Sequence, residues 1–319
     1  MSSSSQLQGA VALGIACNNM QIFALPSLIF LLGSIVSLPT QGSPLPKAES
    51  ERNCWLRHTA ERVQVNLREP TSVEFSNLRS GYSVYSPFSV DFAVRGMGVV
   101  PAGQQHDKAG HHHILIDQRL PASITAPIPF NDKHRHFGKA QTGTLLELPA
   151  GKHTLRLLFA DHQHKPHFVF SPEITVEVLG PRPAVTPALS ANPTVAECQA
   201  WYESELTRPR PAGPWLDVVN LRSGETVSSP FNLRLGVGGF GVAAKEVTVE
   251  GTGHFVLEFA SKTGKPVAAP DLSNGATQVN LYLPIGNYRL RVRFVTADGK
   301  RDLLPAQELD LVVAGQDRL

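Results

Sequence analysis

Apolar and polar residues alternate with a period of two along much of this chain, in short runs broken by turn residues. Residues 88–94, 144–148, 154–159 and 173–178 follow the rule, and so do 231–235, 278–283, 288–294 and 308–313. Such alternation turns one face of a strand toward a core and the other toward solvent. Neither group of runs holds a useful stretch of helical period, although residues 196–206, just ahead of the second group, are predicted as a short helix. About seven short strands in about 100 residues predict an immunoglobulin-like sandwich. The chain therefore reads as all-β, with two tandem immunoglobulin-like β-sandwich domains at about residues 71–180 and 215–315. Residues 180–196 carry Pro181, Pro183, Pro187 and Pro193 with few charges and read as the connection, so that 181–214 is a Pro-rich linker and lead segment.

The second group of runs repeats the first. Asn77-Leu78-Arg79-Ser80-Gly81 recurs as Asn220-Leu221-Arg222-Ser223-Gly224, and Ser86-Pro87-Phe88 as Ser229-Pro230-Phe231, both at an offset of 143. Gly110-His111 recurs as Gly253-His254 at the same offset, and Pro149-x-Gly151 recurs as Pro284-x-Gly286 at an offset of 135. Within the second copy, Leu283-Pro284-x-Gly286-x-Tyr288 has the form of a tyrosine corner, in which a Tyr hydroxyl bonds back to nearby backbone. His153 stands at the place of Tyr288 in the first copy, which points to a structural substitute rather than a ligand.

Composition adds constraints. A formal net charge of +2 with no long basic run argues against nucleic acid as a partner. The first Lys or Arg is Lys47, and residues 22–38 before it are mostly apolar, followed by Thr40-Gln41-Gly42. This predicts a signal segment, residues 1–42, cleaved near Gly42, and an extracytoplasmic (periplasmic or secreted) protein with no stable membrane span after processing. The alternative is an uncleaved anchor, for which Pro26 and a stretch of 17 residues are short. Translation from Met20 is a second possible start, and Cys17 lies on the wrong side of the apolar run for lipid attachment. Cys54 and Cys198 lie 23 and 22 residues ahead of their Asn-Leu-Arg-Ser-Gly motifs, each with a Trp close behind (Trp55, Trp201). Residues 43–70 thus form a Cys/Trp-bearing lead segment like the one before the second copy. A disulfide between the two cysteines is the expectation in an oxidising compartment, against two buried thiols.

The copies differ in histidine. Nine of the twelve His residues fall within the 57 residues from His111 to His167, where an even spread would put about two. On a strand of alternating faces, His112 points with Ile114 and Ile116 toward the core, while His111, His113 and Asp117 point the other way. His134-x-His136 repeats the His-x-His spacing in a turn-rich segment, and Asp161-His162-x-His164-x-x-His167 lies in the loop after a strong strand. Imidazole suits Cu(II) and Zn(II), and the predicted ligands are His111, His113, His136, His164 and His167. His112, His134 and His162 are reserves, and Asp117 and Asp161 are candidates to hold a ligand's second ring nitrogen. His58, His106 and His254 are expected to take no part. The bland reading makes the same histidines a hydrogen-bonded network that positions loops.

The set Gly110-His111-His112-His113, His136-Phe137-Gly138, Gln141-Thr142, Gly151-x-His153-Thr154-Leu155 and Asp161-x-x-His164-x-x-His167 resembles an exported bacterial domain-of-unknown-function family over residues 75–179. The second copy matches only its framework. Family members usually carry Gly and Glu where this chain has Ala140 and Gly143. The resemblance implies no activity. Three functions follow from the chemistry: an exported protein binding a divalent transition metal, a structural or interaction protein of the cell envelope, and a metal-dependent enzyme. They rank in that order, leaning away from an enzyme, with the metal ion as first partner and another envelope protein as second. No Gly-rich phosphate loop, G-x-S-x-G elbow or Cys-His pair selects another chemistry.

Overall fold

The computed structural model describes residues 39–65, 69–185, 188–261 and 266–316. The expected signal up to residue 38, with Cys17 and Met20, lies outside the described residues, as does Pro187. Strand β1 (Thr40–Gln41) and helix α1 (Glu49–Thr59), with a 3-10 turn at Ala60–Val63, come first. The first sandwich then runs through β2 (Ser72–Phe75), β3 (Tyr82–Ser86), β4 (Phe88–Arg95), β5 (Gly98–Val99) and β6 (Ala109–Ile116). It continues with β7 (His134–His136), β8 (Gly143–Leu146), β9 (Gly151–Ala160), β10 (Pro166–Phe170) and β11 (Ile174–Pro181). Helix α2 (Val195–Leu206) leads to the second sandwich, made of β12 (Trp215–Val218), β13 (Glu225–Ser229), β14 (Phe231–Gly238), β15 (Gly241–Val242), β16 (Thr252–Ser261), β17 (Gln278–Leu281), β18 (Gly286–Val295) and β19 (Gln307–Gln316).

Each sandwich packs a three-stranded sheet on a larger one. In the first, β2-β4-β8 lies against β3-β11-β9-β6-β5; in the second, β12-β14-β17 lies against β13-β19-β18-β16-β15. The frames agree strand for strand, including a cis peptide at Ser86–Pro87 and at Ser229–Pro230. The tyrosine corner is present, Tyr288 Oη donating to Pro284 O at 2.8 Å. His153 makes the matching bond from Nε2 to Pro149 O at 3.0 Å. Two strands of the first sandwich have no counterpart among the described residues of the second: β7, on the edge of β6, and β10, on the edge of β9. Both carry histidine.

The sandwiches are not beads on a linker. A single apolar core joins them, from Val73 and Phe92 through Leu235 to Leu290 and Phe294, and the contact between them is nearly two-fold symmetric. Thr142 Oγ1 accepts from Val237 N and donates to Val237 O, at 2.9 and 3.0 Å. Its counterpart Thr277 bonds Val94 in a similar way, Oγ1 accepting from Val94 N at 2.9 Å and Thr277 N donating to Val94 O at 3.1 Å. Val99 N donates to Gly275 O and Val242 N to Ala140 O. Gly98 and Gly241 permit this approach, since a Cβ there would stand 1.8 Å from Asn274 O or 2.1 Å from Lys139 O.

The lead segments reach across to the other copy, although α1 also holds its own through His58, which bonds Arg79 and Tyr82. β1 pairs in parallel with β19, and Gly42 N donates to Glu308 O at 2.8 Å, so Thr40, Gln41 and Gly42, assigned above to the signal, are built into the second sandwich. From α1, Trp55 Nε1 donates to Glu225 Oε1 at 2.6 Å, and Arg62 bonds both Glu225 and Asn220 O in the second copy. In return, the end of α2 serves the first copy: Leu206 O accepts from Asn77 Nδ2, Thr207 O from Ser89 N, and Arg210 grips Asp91 through two bonds of 2.9 and 2.7 Å. Cys54 and Cys198 form a disulfide between α1 and α2. The sequence pattern showed α2, capped by Thr194 and Glu197 in a reciprocal box. It did not show α1, whose Glu-Ser-Glu-Arg-Asn start has no apolar stripe and whose buried residues include His58 and Thr59.

Candidate metal centre

β6 sits between β9 on one edge and β5 and β7 on the other, with every residue buried. Its two faces differ. His112 enters the core, its ring 4.8 Å from that of Phe92 and 5.0 Å from that of Phe159. Neither of its nitrogens has a hydrogen-bond partner, and burial lowers its pKa to about 3. His111 and His113 leave from the outer face, yet both are 0 % exposed. The cover comes from the segment between β6 and β7 and from the turn between β9 and β10. Ile128 sits on Leu115, Leu158 and Ala160 as a small apolar seat on that face, and Ile128 N donates to His164 O at 2.8 Å. In the second sandwich Glu258 and Arg293 take the places of Leu115 and Leu158 and form a partly exposed ion pair of 3.2 Å.

β7 pairs with β6 so that His136 lies opposite His113. Gly138 makes room for the His136 ring, because a Cβ there would lie 2.2 Å from its Cε1. His164 comes from the tight turn of residues 161–165, at a left-handed φ of 65°. Asp161 holds that turn: its Oδ1 accepts from Gln163 N and Lys165 N at 2.8 Å, and its O accepts from His164 N at 2.9 Å. Four rings meet as a result. His111 Nε2 lies 3.2 Å from His113 Nε2, and His136 Nε2 lies 3.2 Å from His164 Nε2. Ring nitrogens of His111, His136 and His164 all fall within 4.8 Å of one another. Among the described residues, the hydrogen bonds of these four rings run only to one another.

The electrostatics favour neutral rings. Burial first, and the neighbouring imidazoles second, lower the pKa of His111 to about 3 and of His113 to about 2, and lower that of His136. Lone pairs are therefore available at neutral pH. Two facing Nε2 atoms also pose a problem by themselves: if one donates, the accepting ring must carry its proton on Nδ1, and Nδ1 of both His111 and His113 is buried without a partner. A cation among His111, His136 and His164 would use their facing lone pairs.

The other predicted residues lie apart from this group. His167 is exposed on β10, donating from Nε2 to Ala109 O at 3.0 Å with its ring stacked over Phe159. His134 bonds Asn131 Oδ1 through Nδ1, and the carbonyl of His162 accepts from Gly103 N. Asp117 backs no ligand; it binds His153 Nδ1 at 2.9 Å and Thr154 N at 2.8 Å. Asp161 shapes a turn instead of orienting a ring. His58 bonds Tyr82, His106 lies 3.2 Å from Glu246, and His254 is buried in the second sandwich. Gly143 pairs with Asp91 in the other sheet, outside the histidine group. Sequence reasoning missed Phe130, 74 % exposed, whose ring stands edge-on to His136 at 4.7 Å. Nothing in its surroundings, Pro129 and Asn131, marked it.

A family described as a domain of unknown function (DUF4399) matches residues 90–179, from β4 to β11 of the histidine-bearing copy. No curated protein matches the chain. Among solved structures, the fibronectin(III)-like modules of Clostridium thermocellum CbhA are 8 % identical, over 76 % of this chain and 94 % of that one, with a TM-score of 0.21. A two-domain fibronectin type-III segment of chicken tenascin is 11 % identical over 77 % and 100 %, with a TM-score of 0.19. Dimeric latent PorU of Porphyromonas gingivalis is 15 % identical over 78 % and 21 %, with a TM-score of 0.25. The sandwich architecture is carried by the sheets themselves.

Proposed function

We propose that the first sandwich binds one divalent transition-metal ion, Zn(II) or Cu(II), in the cluster of His111, His113, His136 and His164, and that the protein works outside the cytoplasm. The observation that carries this reading is the meeting of four imidazoles whose facing nitrogens have no other partner among the described residues. The histidine motif of the resembled family supplies all four. The Cys54–Cys198 disulfide supports an oxidising compartment. Removal of a signal ahead of Thr40 would leave β1 in its sheet. Among the described residues, no helix is long and apolar enough to cross a membrane.

The test is elemental analysis of the full chain after exposure to Zn(II) or Cu(II) and removal of excess. Wild type should retain one ion, and His111→Ala/His113→Ala none. Equal metal content in the two proteins would defeat the reading and favour the architectural one, for which the two 3.2 Å contacts are imidazole–imidazole hydrogen bonds.

A further inference from the structure

Resting on the metal-binding reading above, we propose that His111, His136 and His164 hold the ion and leave it one open position, which takes a small anion from solution. The three rings make a nearly equilateral triangle, with centroids 4.9 Å apart for His111 and His136, 5.0 Å for His111 and His164, and 4.7 Å for His136 and His164. Imidazoles on one ion, with Zn–N bonds of about 2.0–2.1 Å at tetrahedral angles, stand with centroids about 5 Å apart. His113 keeps that spacing to His111 and His136 but lies 6.1 Å from His164. Its nitrogens fall outside the 4.8 Å span that the other three share. It is a neighbour of the ligands, its Nε2 facing that of His111 at 3.2 Å.

Burial sets the way in. His111 is 0 % exposed, whereas His136 and His164 are half-buried, so a ligand from solution reaches the ion past these two rings. Phe130, 74 % exposed and edge-on to His136 at 4.7 Å, gives that approach an apolar wall. Charge then selects the ligand. Three neutral imidazoles leave the double charge of the ion uncompensated, and among the described residues no carboxylate hydrogen-bonds any of the three. Asp161, the acid whose charge reaches His111, spends its Oδ1 on Gln163 N and Lys165 N. A dication in so partly dried a place draws an anion to its vacant corner. Three histidines with one exchangeable position is also an arrangement that zinc adopts readily.

The experiment is visible spectroscopy of the full chain, stripped of metal, loaded with one Co(II) and titrated with sodium azide. Wild type should show ligand-field bands that shift as azide binds, saturating at one azide per ion. His113→Ala should keep the ion and give the same shift, whereas His164→Ala should lose most of its Co(II). Bands that azide leaves unchanged in wild type would overturn the open position and leave metal binding standing. So would loss of the ion from His113→Ala with an unchanged circular-dichroism spectrum, or full retention by His164→Ala, since either would assign the ligands differently. Failure of wild type to bind either Co(II) or Zn(II) would overturn both readings.

Discussion

Place the two sandwiches side by side and their inner faces agree, while their outer faces do not. In the second, Glu258, Arg291, Arg293 and Asp302 lace the outside of β16 and β18 with partly exposed ion pairs. In the first, Leu115, Leu158 and Ala160 replace that ladder with an apolar seat, and a segment carrying Ile128 settles on it. The seat allows β7 and the 161–165 turn to close over His111 and His113. Burial then strips those rings of water and keeps them neutral. A histidine cluster is thus more than histidines placed on a frame; the frame's outer face must be apolar enough to hold a lid.

The largest expected effect tests whether the site is confined to one copy. His111→Ala/His113→Ala should weaken Zn(II) binding by at least about two orders of magnitude, since even orienting groups around ligands are worth about 10- to 100-fold. His254→Ala, at the place of His111 in the twin, should change nothing. Competition with a chromogenic chelator reads both, and a comparable loss from His254→Ala would erase the contrast between the copies.

The disulfide comes next. It closes a separation of 144 residues, for which the chain-entropy model gives about 5 kcal/mol. Cys54→Ser/Cys198→Ser should therefore show a large drop in urea midpoint. The two copies should still unfold in one transition, because they share a core. Two separated transitions would show that the copies are independent after all.

Acid sharpens the comparison further. His58 and His112 have folded pKa values of about 3, lowered chiefly by burial from 6.5. Between those values the unfolded chain binds protons that the folded chain refuses. Stability is full above about pH 6.5 and falls as the pH drops toward about 3. In metal-free protein the urea midpoint should decline between about pH 7 and about pH 5, where most carboxylates stay ionised; a flat profile would contradict the assigned burial. His112→Phe should flatten part of that slope. The twin carries Phe255 at this position, packed on Phe294 as His112 packs on Phe159. Removing two unpartnered buried nitrogens should also raise stability by about 2 kcal/mol in thermal melts. A lower melting temperature would mean that the two cores are less alike than their registers.

The smallest effect concerns one turn. Ala140 has a φ of 59°, and its counterpart Gly275 a φ of 88°. Ala140→Gly should stabilise by about 1 kcal/mol, since only glycine takes this conformation without a Cβ penalty. No gain in melting temperature would place the cost elsewhere.

Much of this was written in local pattern. Period-two runs marked the strands, His-x-His spacing placed His111 with His113, and Ile114 and Ile116 turned His112 inward. What escaped depends on tertiary geometry. His164 and His167 are equivalent in spacing, but a left-handed turn held by Asp161 sends one into the group and leaves the other on β10. Asp117 looked like a partner for a ligand and serves His153 instead. Sequence position also hid which copy each lead segment serves, because a helix that docks on the neighbouring repeat carries the same residues as one that docks on its own.

These crossed contacts have a consequence for the order in which the chain is made. A ribosome releases the first sandwich before α2 has emerged, so Asn77 and Ser89 wait for their acceptors and Asp91 for Arg210. β1 waits longer still, since its partner β19 is the last strand described. The nascent first half therefore travels with polar groups uncapped and an edge open, and completion depends on nearly the full length having emerged.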